Sequence, residues 1–272
     1  MRPISRSYLF VPGNRPDRFQ KAIHSGAHAV IIDLEDGVAP ADKKFARESV
    51  AQWLNPAQPV VLRVNGAGAE WFEDDLELCG RPGVAAVMLP KAESAQQALD
   101  VVRRPGAEFA LLPQIESALG FASALEIAQC AGVERLVFGP LDFQVDLGID
   151  GENEELLFFR SQLVLISRLA GILPPVEGPT TAIDDPDLLR TDTVRARKLG
   201  FGGKLCIHPK QVPIVNGCFA PTPAEMEWAR KIIEAAAASG GGAVAVDGKM
   251  VDRPVILRAE RILREAKRSA SE

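Results

Sequence analysis

The chain has 272 residues, of which 47% are hydrophobic and 25% are charged, a composition that indicates a globular protein and excludes a disordered chain, a collagen or a coiled coil. Its 31 basic and 36 acidic residues give a net charge of −5 at pH 7, so no overall positive field favours nucleic acid or an anionic membrane as a partner. Four scattered cysteines lack the spacing of a zinc site or a disulfide framework and predict reduced thiols in a cytoplasmic protein. The apolar stretch near the N-terminus is broken by Pro12 and Gly13 and is too short for a signal peptide or a membrane span.

Short apolar runs recur along the chain and are predicted to be β-strands. Most of them lack the alternation of a one-sided sheet, which is typical of parallel strands that are buried on both faces. The eight predicted strands are residues 8–11, 29–33, 60–64, 86–89, 109–115, 136–139, 175–178 and 204–207.

Longer amphipathic segments separate these strands and are predicted to be helices. Ser94 to Gln97 has a capping-box pattern, and Thr222 to Glu225 adds a proline in the first turn. The predicted helices are residues 17–25, 41–54, 71–79, 94–102, 122–130, 153–169, 187–199 and 223–238. This alternation predicts an α/β protein with a (β/α)8 TIM barrel over residues 1–238, and an open doubly wound sheet is the alternative.

Residues 239–272 exceed what the barrel requires. After the glycines at 240–242, the pair Asp247-Gly248 stands between two short apolar runs and predicts a β-hairpin. A helix is predicted over residues 254–268. This C-terminal extension could cover its own barrel or reach a neighbouring subunit, and we expect it to pack on a neighbouring subunit.

Polar residues follow most of the predicted strands, at the end where a (β/α)8 barrel builds its active site. Four carboxylates would meet there: Glu35, Asp36, Glu116 and Asp142. Their mutual repulsion calls for cations or a metal, and Mg²⁺ binds one or two carboxylates together with water and substrate oxygens. Glu116 and Asp142 are predicted to be the metal ligands because they follow neighbouring strands, whereas the other two acids lie three strands away.

Arg63 directly follows the third strand, where its planar fork suits a substrate carboxylate or a developing oxyanion. Alternatively, Arg63 forms a salt bridge with an acid that follows the second strand, and the other acids cap helices or pair with nearby lysines. His208 ends the eighth strand and is predicted to bond to backbone. No serine, histidine and aspartate order and no reactive-cysteine pattern supports covalent acyl catalysis.

With these motifs, the chain resembles the citrate lyase beta-subunit-like group of the HpcH/HpaI aldolase and citrate lyase family. The resemblance runs almost from end to end. Its motifs are RSYLFVPGNRP (6–16), IDLEDGV (32–38), LRVN (62–65), MLPKAE (88–93), IESALG (115–120), FGPLDF (138–143), DLG (146–148), CIHP (206–209) and GKMVD (248–252).

The resemblance implies a TIM barrel and a homo-oligomer, usually a trimer or hexamer, that cleaves 3-hydroxyacyl thioesters of coenzyme A or acyl carrier protein with Mg²⁺. Arg63 matches the substrate-binding arginine and would have a catalytic role. Glu116 and Asp142 match the metal ligands, with Glu116 also near the substrate. Asp252 matches a catalytic aspartate that completes a neighbour's site. Coenzyme A phosphates are expected near the first loop, at Arg15.

Other activities stay open at this point. They are a Mg²⁺-dependent 2-oxo-acid aldolase without coenzyme A, a malyl-type thioesterase, and a non-catalytic subunit that binds an acyl carrier protein. Leu34-Glu35-Asp36 stands where the pyruvate aldolases of the superfamily carry a Glu-His pair, which favours the thioester branch. Pro140-Leu141 replaces a commoner Ala-Glu before Asp142, and we expect this change to reshape the pocket beside the metal.

Overall fold

The computed structural model describes residues 5–104, 108–238 and 244–269. Eight parallel strands follow one another around a closed barrel, and β1 pairs with β8 to complete it. The barrel prediction is therefore confirmed and the open sheet is excluded. The strands are β1 (Ser7–Pro12), β2 (Ala29–Asp33), β3 (Val60–Arg63), β4 (Val84–Leu89), β5 (Ala110–Ile115), β6 (Val137–Phe138), β7 (Val176–Glu177) and β8 (Gly203–Cys206).

Helices surround the barrel and form the region that follows it. In the barrel they are α1 (Pro16–Ile23), α2 (Lys43–Trp53), α3 (Phe72–Cys79), α4 (Ala95–Val102), α5 (Ala118–Ala122), α6 (Ala124–Ala128), α7 (Pro140–Leu147), α8 (Leu157–Leu169) and α9 (Pro186–Leu199). Next along the chain come α10 (Val212–Phe219), α11 (Pro223–Ala238) and α12 (Arg253–Ser269). Both predicted capping boxes form, at the starts of α4 and α11.

Three helical segments differ from the prediction. The helix predicted over residues 122–130 starts earlier, because the Ser117 hydroxyl accepts the Gly120 N–H at 3.1 Å and caps α5. Ser123 then separates α5 from α6. The short helices α7 and α10 were not predicted, because their apolar and polar residues separate onto two faces less clearly than those of the equally short α1, α3 and α4.

Apolar side chains fill the barrel interior. Each strand contributes to this cluster, which includes Tyr8, Ile31, Val61, Met88, Leu112, Val137, Val176 and Leu205. A filled interior leaves no passage along the barrel axis, so a ligand has access at the mouth, where the strands end.

The chain divides into two compact units, one up to Asn216 and one from Gly217 onward. In the second unit α11 packs against α12, and β9 (Val244–Val246) pairs antiparallel with β10 (Lys249–Val251). The hairpin prediction is thus confirmed, with its turn at Asp247-Gly248. Because α11 shares its core with α12, this unit begins before the predicted boundary at residue 239. Packing of residues 239–272 on a neighbouring subunit stays a prediction, and the glycines at 240–242 lie outside the described residues.

Within the described residues, no helix combines the length and the apolar character that crossing a membrane requires.

Candidate active site

Arg63 is held in one orientation at the barrel mouth. The register of β2 and β3 sets Asp33 beside Arg63, and the Arg63 Nε and Nη2 atoms donate to the Asp33 carboxylate at 2.7 Å each. Nη1 lies 3.0 Å from Glu35 Oε2, and the guanidinium lies 4.6 Å from the centre of the Phe10 ring. A guanidinium has five N–H donors. Two donate to Asp33 and one faces Glu35, so two remain for a ligand.

Asp33 anchors the loop as well as the arginine. Its two oxygens also accept the Glu35 N–H at 2.9 Å and the Gly37 N–H at 2.8 Å. A Cβ at Gly37 would lie 2.4 Å from Asp33 Oδ2, so only glycine allows this turn. Burial acts to lower the pKa of Arg63, but the charges of Asp33 and Glu35 outweigh it and raise the pKa. The guanidinium is therefore a permanent cation here.

Asp33 is a site residue that was not predicted from the sequence. The available signal was a carboxylate at the last position of an otherwise apolar buried strand, 30 residues before an arginine in the same position of the next strand. A charged group at such a position requires a partner. The strand register was needed to identify that partner.

Lys91 connects the acids of β2 with the acid that follows β5. Its Nζ atom lies 2.6 Å from Glu35 Oε1, and its backbone N–H donates to Glu116 Oε1 at 2.6 Å. Lys91 has φ of 49°, in the left-handed region that non-glycine residues seldom adopt. This backbone conformation presents the N–H to Glu116.

Glu116 and Asp142 come together as predicted. Glu116 is buried directly after β5, where its second oxygen accepts a hydrogen bond from the Gln114 side chain. Asp142 lies in the first turn of α7 and is partly buried. A Cβ at Gly139 would lie 2.5 Å from Glu116 Oε2, so glycine at the end of β6 makes room for this carboxylate. Burial, and next the charges of Glu35 and Asp142, raise the pKa of Glu116 to about 8.

The charges at the mouth are unevenly compensated. Asp33 and Glu35 are paired with Arg63 and Lys91. In contrast, neither Glu116 nor Asp142 forms an ion pair with a cation anywhere in residues 5–104, 108–238 and 244–269. Neither carboxylate therefore has a cationic partner among the described residues, and the raised pKa of Glu116 reflects its burial and this lack of compensation.

This arrangement fits a hard divalent cation. Two carboxylates match the one or two that Mg²⁺ takes from a protein, with water and substrate oxygens as the other ligands. No group of three or more metal-binding side chains occurs in the described part of the chain. The buried Gln114 Oε1 atom has no hydrogen-bond partner among the described residues and could accept a bond from such a water.

A cleft of about 400 Å³ opens at this mouth. Its lining includes charged and polar side chains as well as apolar ones. Its lining comprises Phe10, Pro12, Asp33, Asp36, Gly37, Arg63, Gln114, Gly139, Pro140, Leu141, Asp142, Pro179, Leu205 and Ile207.

Three other residues were singled out in the sequence: Arg15, Asp252 and His208. Arg15, at the start of α1, is partly exposed and donates to Asp17 at 2.9 and 2.8 Å. Asp252 belongs to the second unit, where its carbonyl accepts the Ile256 N–H at 3.0 Å at the start of α12. His208 bonds to backbone as predicted, because its Nδ1 atom accepts the Lys210 N–H at 3.2 Å.

Comparison with known proteins shows extensive similarity to one family. The sequence model of the HpcH/HpaI aldolase/citrate lyase family matches residues 6–209. A citrate lyase subunit beta-like protein of Deinococcus radiodurans is 38% identical over 96% of each chain. A (3S)-malyl-CoA thioesterase of Cereibacter sphaeroides is 34% identical over 98% of this chain and 96% of its own. A crystal structure of CitE from Mycobacterium tuberculosis in complex with magnesium, acetoacetate and coenzyme A is 34% identical, with a TM-score of 0.88 over 98% of this chain and 100% of that chain.

Proposed function

The chain belongs to the HpcH/HpaI aldolase/citrate lyase family, and we propose that it is a Mg²⁺-dependent carbon–carbon lyase that cleaves a 3-hydroxyacyl thioester. In this reaction the C3 hydroxyl loses its proton to solvent, the bond between C2 and C3 breaks, and C3 becomes the carbonyl carbon of a 2-oxo acid. The electron pair passes to the thioester enolate, which takes up a proton and leaves as an acetyl or propionyl thioester. The observation that carries the proposal is the uncompensated pair Glu116 and Asp142 beside a fixed Arg63.

Glu116 and Asp142 are the proposed metal ligands. The related CitE crystal structure contains magnesium, and the donor set here suits that ion. When bound, Mg²⁺ supplies a Lewis acid that polarises substrate oxygens. The backbone N–H of Lys91 and the side chain of Gln114 orient Glu116 before any ligand arrives.

Arg63 is the proposed electrostatic catalyst. Its two free N–H groups would donate to the oxygen on which negative charge develops as the bond breaks. Asp33, Glu35 and the Phe10 ring fix the plane of the guanidinium. The donors are therefore oriented before the charge appears, which keeps the reorganisation cost low.

The enolate requires a proton, and Asp252 is the proposed acid. We propose that it acts in the site of a neighbouring subunit of a homo-oligomer, a trimer or a hexamer. Support comes from the matching aspartate in the GKMVD motif. A carboxylic acid in this role needs a pKa near neutrality.

Coenzyme A and acyl carrier protein are both suitable carriers of the acyl group. The bound coenzyme A of the related CitE structure supports the first. We propose that Arg15 contacts the carrier's phosphates, in exchange for its present partner Asp17.

A second candidate is hydrolysis of a malyl-type thioester, which the 34% identity to the thioesterase of Cereibacter sphaeroides favours. One product analysis separates the two reactions. Malyl-, citramalyl- and citryl-thioesters are incubated with the protein, with Mg²⁺ or with EDTA, and the 2-oxo acid and the free thiol are both measured. A lyase releases 2-oxo acid without free thiol. Free thiol without 2-oxo acid would establish the thioesterase and contradict the proposal.

A further inference from the structure

The cleft offers a single cationic side chain to a substrate. Of the described residues that line it, Arg63 alone is positively charged, whereas Asp33, Asp36 and Asp142 are acidic. Arg63 already faces two carboxylates, and its two free N–H groups are assigned to the developing oxyanion. A substrate carboxylate on the metal would be compensated. A second carboxylate would have no cation of its own.

Several apolar side chains also line the cleft, and we refer to them together as the apolar wall. Leu141 immediately precedes Asp142 and is 42% exposed, and Ile207 follows β8 and is 38% exposed. Phe10, Pro179 and Leu205 are the other members of this apolar wall. A ligand that covers large exposed apolar side chains binds more tightly, because their apolar surface is removed from water.

We infer that the group on C3 of the substrate, besides its hydroxyl and its carboxylate, is a small alkyl group that rests on Leu141 and Ile207. This inference rests on the proposed function. The substrate class is then a 3-hydroxyacyl thioester with a methyl or slightly larger alkyl branch at C3. The product is a monocarboxylic 2-oxo acid such as pyruvate, in place of glyoxylate or oxaloacetate.

Two comparisons of magnitude support this choice. A single methyl group in an apolar pocket changes kcat/KM by about 10- to 200-fold, so the alkyl branch is favoured over hydrogen. A carboxymethyl branch is disfavoured more strongly, because its charge would lose water beside Asp36 and Asp142 without a partner. Leu141 and Ile207 are therefore specificity-determining residues.

The first measurement compares kcat/KM for three coenzyme A thioesters whose C3 branch is hydrogen, methyl or carboxymethyl, which are malyl-, citramalyl- and citryl-coenzyme A. The full chain is used with saturating Mg²⁺. We expect the methyl substrate to exceed the hydrogen substrate by at least about 10-fold and the carboxymethyl substrate by more. Equal or better cleavage of the carboxymethyl substrate would overturn the inference.

Variants of Leu141 test the wall directly. Leu141→Ala should reduce the preference for methyl over hydrogen by about 10-fold. Leu141→Lys adds a cation and should raise the relative kcat/KM of the carboxymethyl substrate. Val145 is one turn further along α7, is 85% exposed and does not line the cleft, so Val145→Ala is the matched control and should leave the preference unchanged. An unchanged preference in both Leu141 variants would also overturn the inference.

Equilibrium binding of pyruvate and of oxaloacetate, each with Mg²⁺ and without coenzyme A, separates this inference from the proposed function. Tighter binding of pyruvate together with no cleavage of any thioester would refute the lyase and support the apolar wall. Cleavage together with equal or tighter binding of oxaloacetate would support the lyase and refute the wall. Binding of neither acid together with no cleavage would refute both.

Discussion

Glu116→Gln should stabilise the metal-free protein, and more so at pH 7 than at pH 5. Burial and two neighbouring carboxylates raise the pKa of Glu116 from its ordinary value of 4.5 to about 8. The folded state therefore holds this proton more tightly than the unfolded state. Between these two pKa values, the wild-type protein loses stability as the pH rises, because folding then opposes ionisation.

The magnitude follows from the two pKa values. Because Glu116 ionises readily only in the unfolded state, its ionisation lowers the free energy of unfolding of the wild type by about 1 kcal/mol at pH 5 and about 3 kcal/mol at pH 7. A glutamine does not ionise, so the advantage of the variant should grow by about 2 kcal/mol over this interval. The substitution also leaves the local hydrogen bonds intact. The oxygen of the introduced amide can still accept the Lys91 N–H. If the Gln114 amide rotates, its Oε1 atom, which has no partner among the described residues, can accept a hydrogen bond from the NH2 group of the introduced amide.

Urea denaturation in EDTA at pH 5 and pH 7 measures this difference. Glu126→Gln removes the same charge from an exposed position on α6 and serves as the control. Added Mg²⁺ should stabilise the wild type more than the Glu116 variant, because a ligand that binds the folded state adds to its stability. A difference between Glu116→Gln and wild type that is the same at both pH values would refute the reasoning.

Three further substitutions test the catalytic groups. Arg63→Lys should lower kcat/KM at least about 100-fold, nearly as much as Arg63→Ala, because one ammonium group cannot replace a planar guanidinium that contacts two carboxylates and a ligand. A lysine variant with wild-type kcat/KM would contradict this role. Asp33→Asn should lower the free energy of unfolding by about 3 kcal/mol, since it leaves the largely buried Arg63 short of a charge partner. It should also lower kcat/KM. An unchanged midpoint of urea denaturation would contradict this role of Asp33. Asp252→Asn should reduce kcat by roughly 10² to 10⁴, and its mixture with Glu116→Gln subunits should regain activity; failure to complement despite subunit exchange would exclude a role across the interface.

Much of the fold could be predicted because parallel strands buried on both faces give unbroken apolar runs. The eight runs identify the eight strands within a few residues. The rule that strand ends meet at one mouth then brings Arg63, Glu116 and Asp142 together, and the structure does so. The proposed roles of these residues stay predictions, as does that of Asp252.

The features of the site that could not be predicted from the sequence depend on strand register and on backbone conformation. Asp33 is identified as the anchor of Arg63 once β2 and β3 are aligned. Lys91 adopts a left-handed backbone conformation and presents its N–H to Glu116. This conformation could not be predicted, because lysine has no particular preference for it. The role of Gly139 likewise depends on how closely Glu116 approaches it.

The most direct test of the account measures the rate of 2-oxo acid release against Mg²⁺ concentration for wild type, Asp142→Asn and Asp150→Asn. Asp150 is an exposed acid that follows α7 and matches the charge change. We predict that the wild-type rate saturates with Mg²⁺ and disappears in EDTA, and that Asp150→Asn behaves like wild type. Asp142→Asn should require at least about 100-fold more Mg²⁺, since it loses a direct ligand. Release that persists in EDTA, or an unchanged Mg²⁺ requirement in Asp142→Asn, would contradict the account.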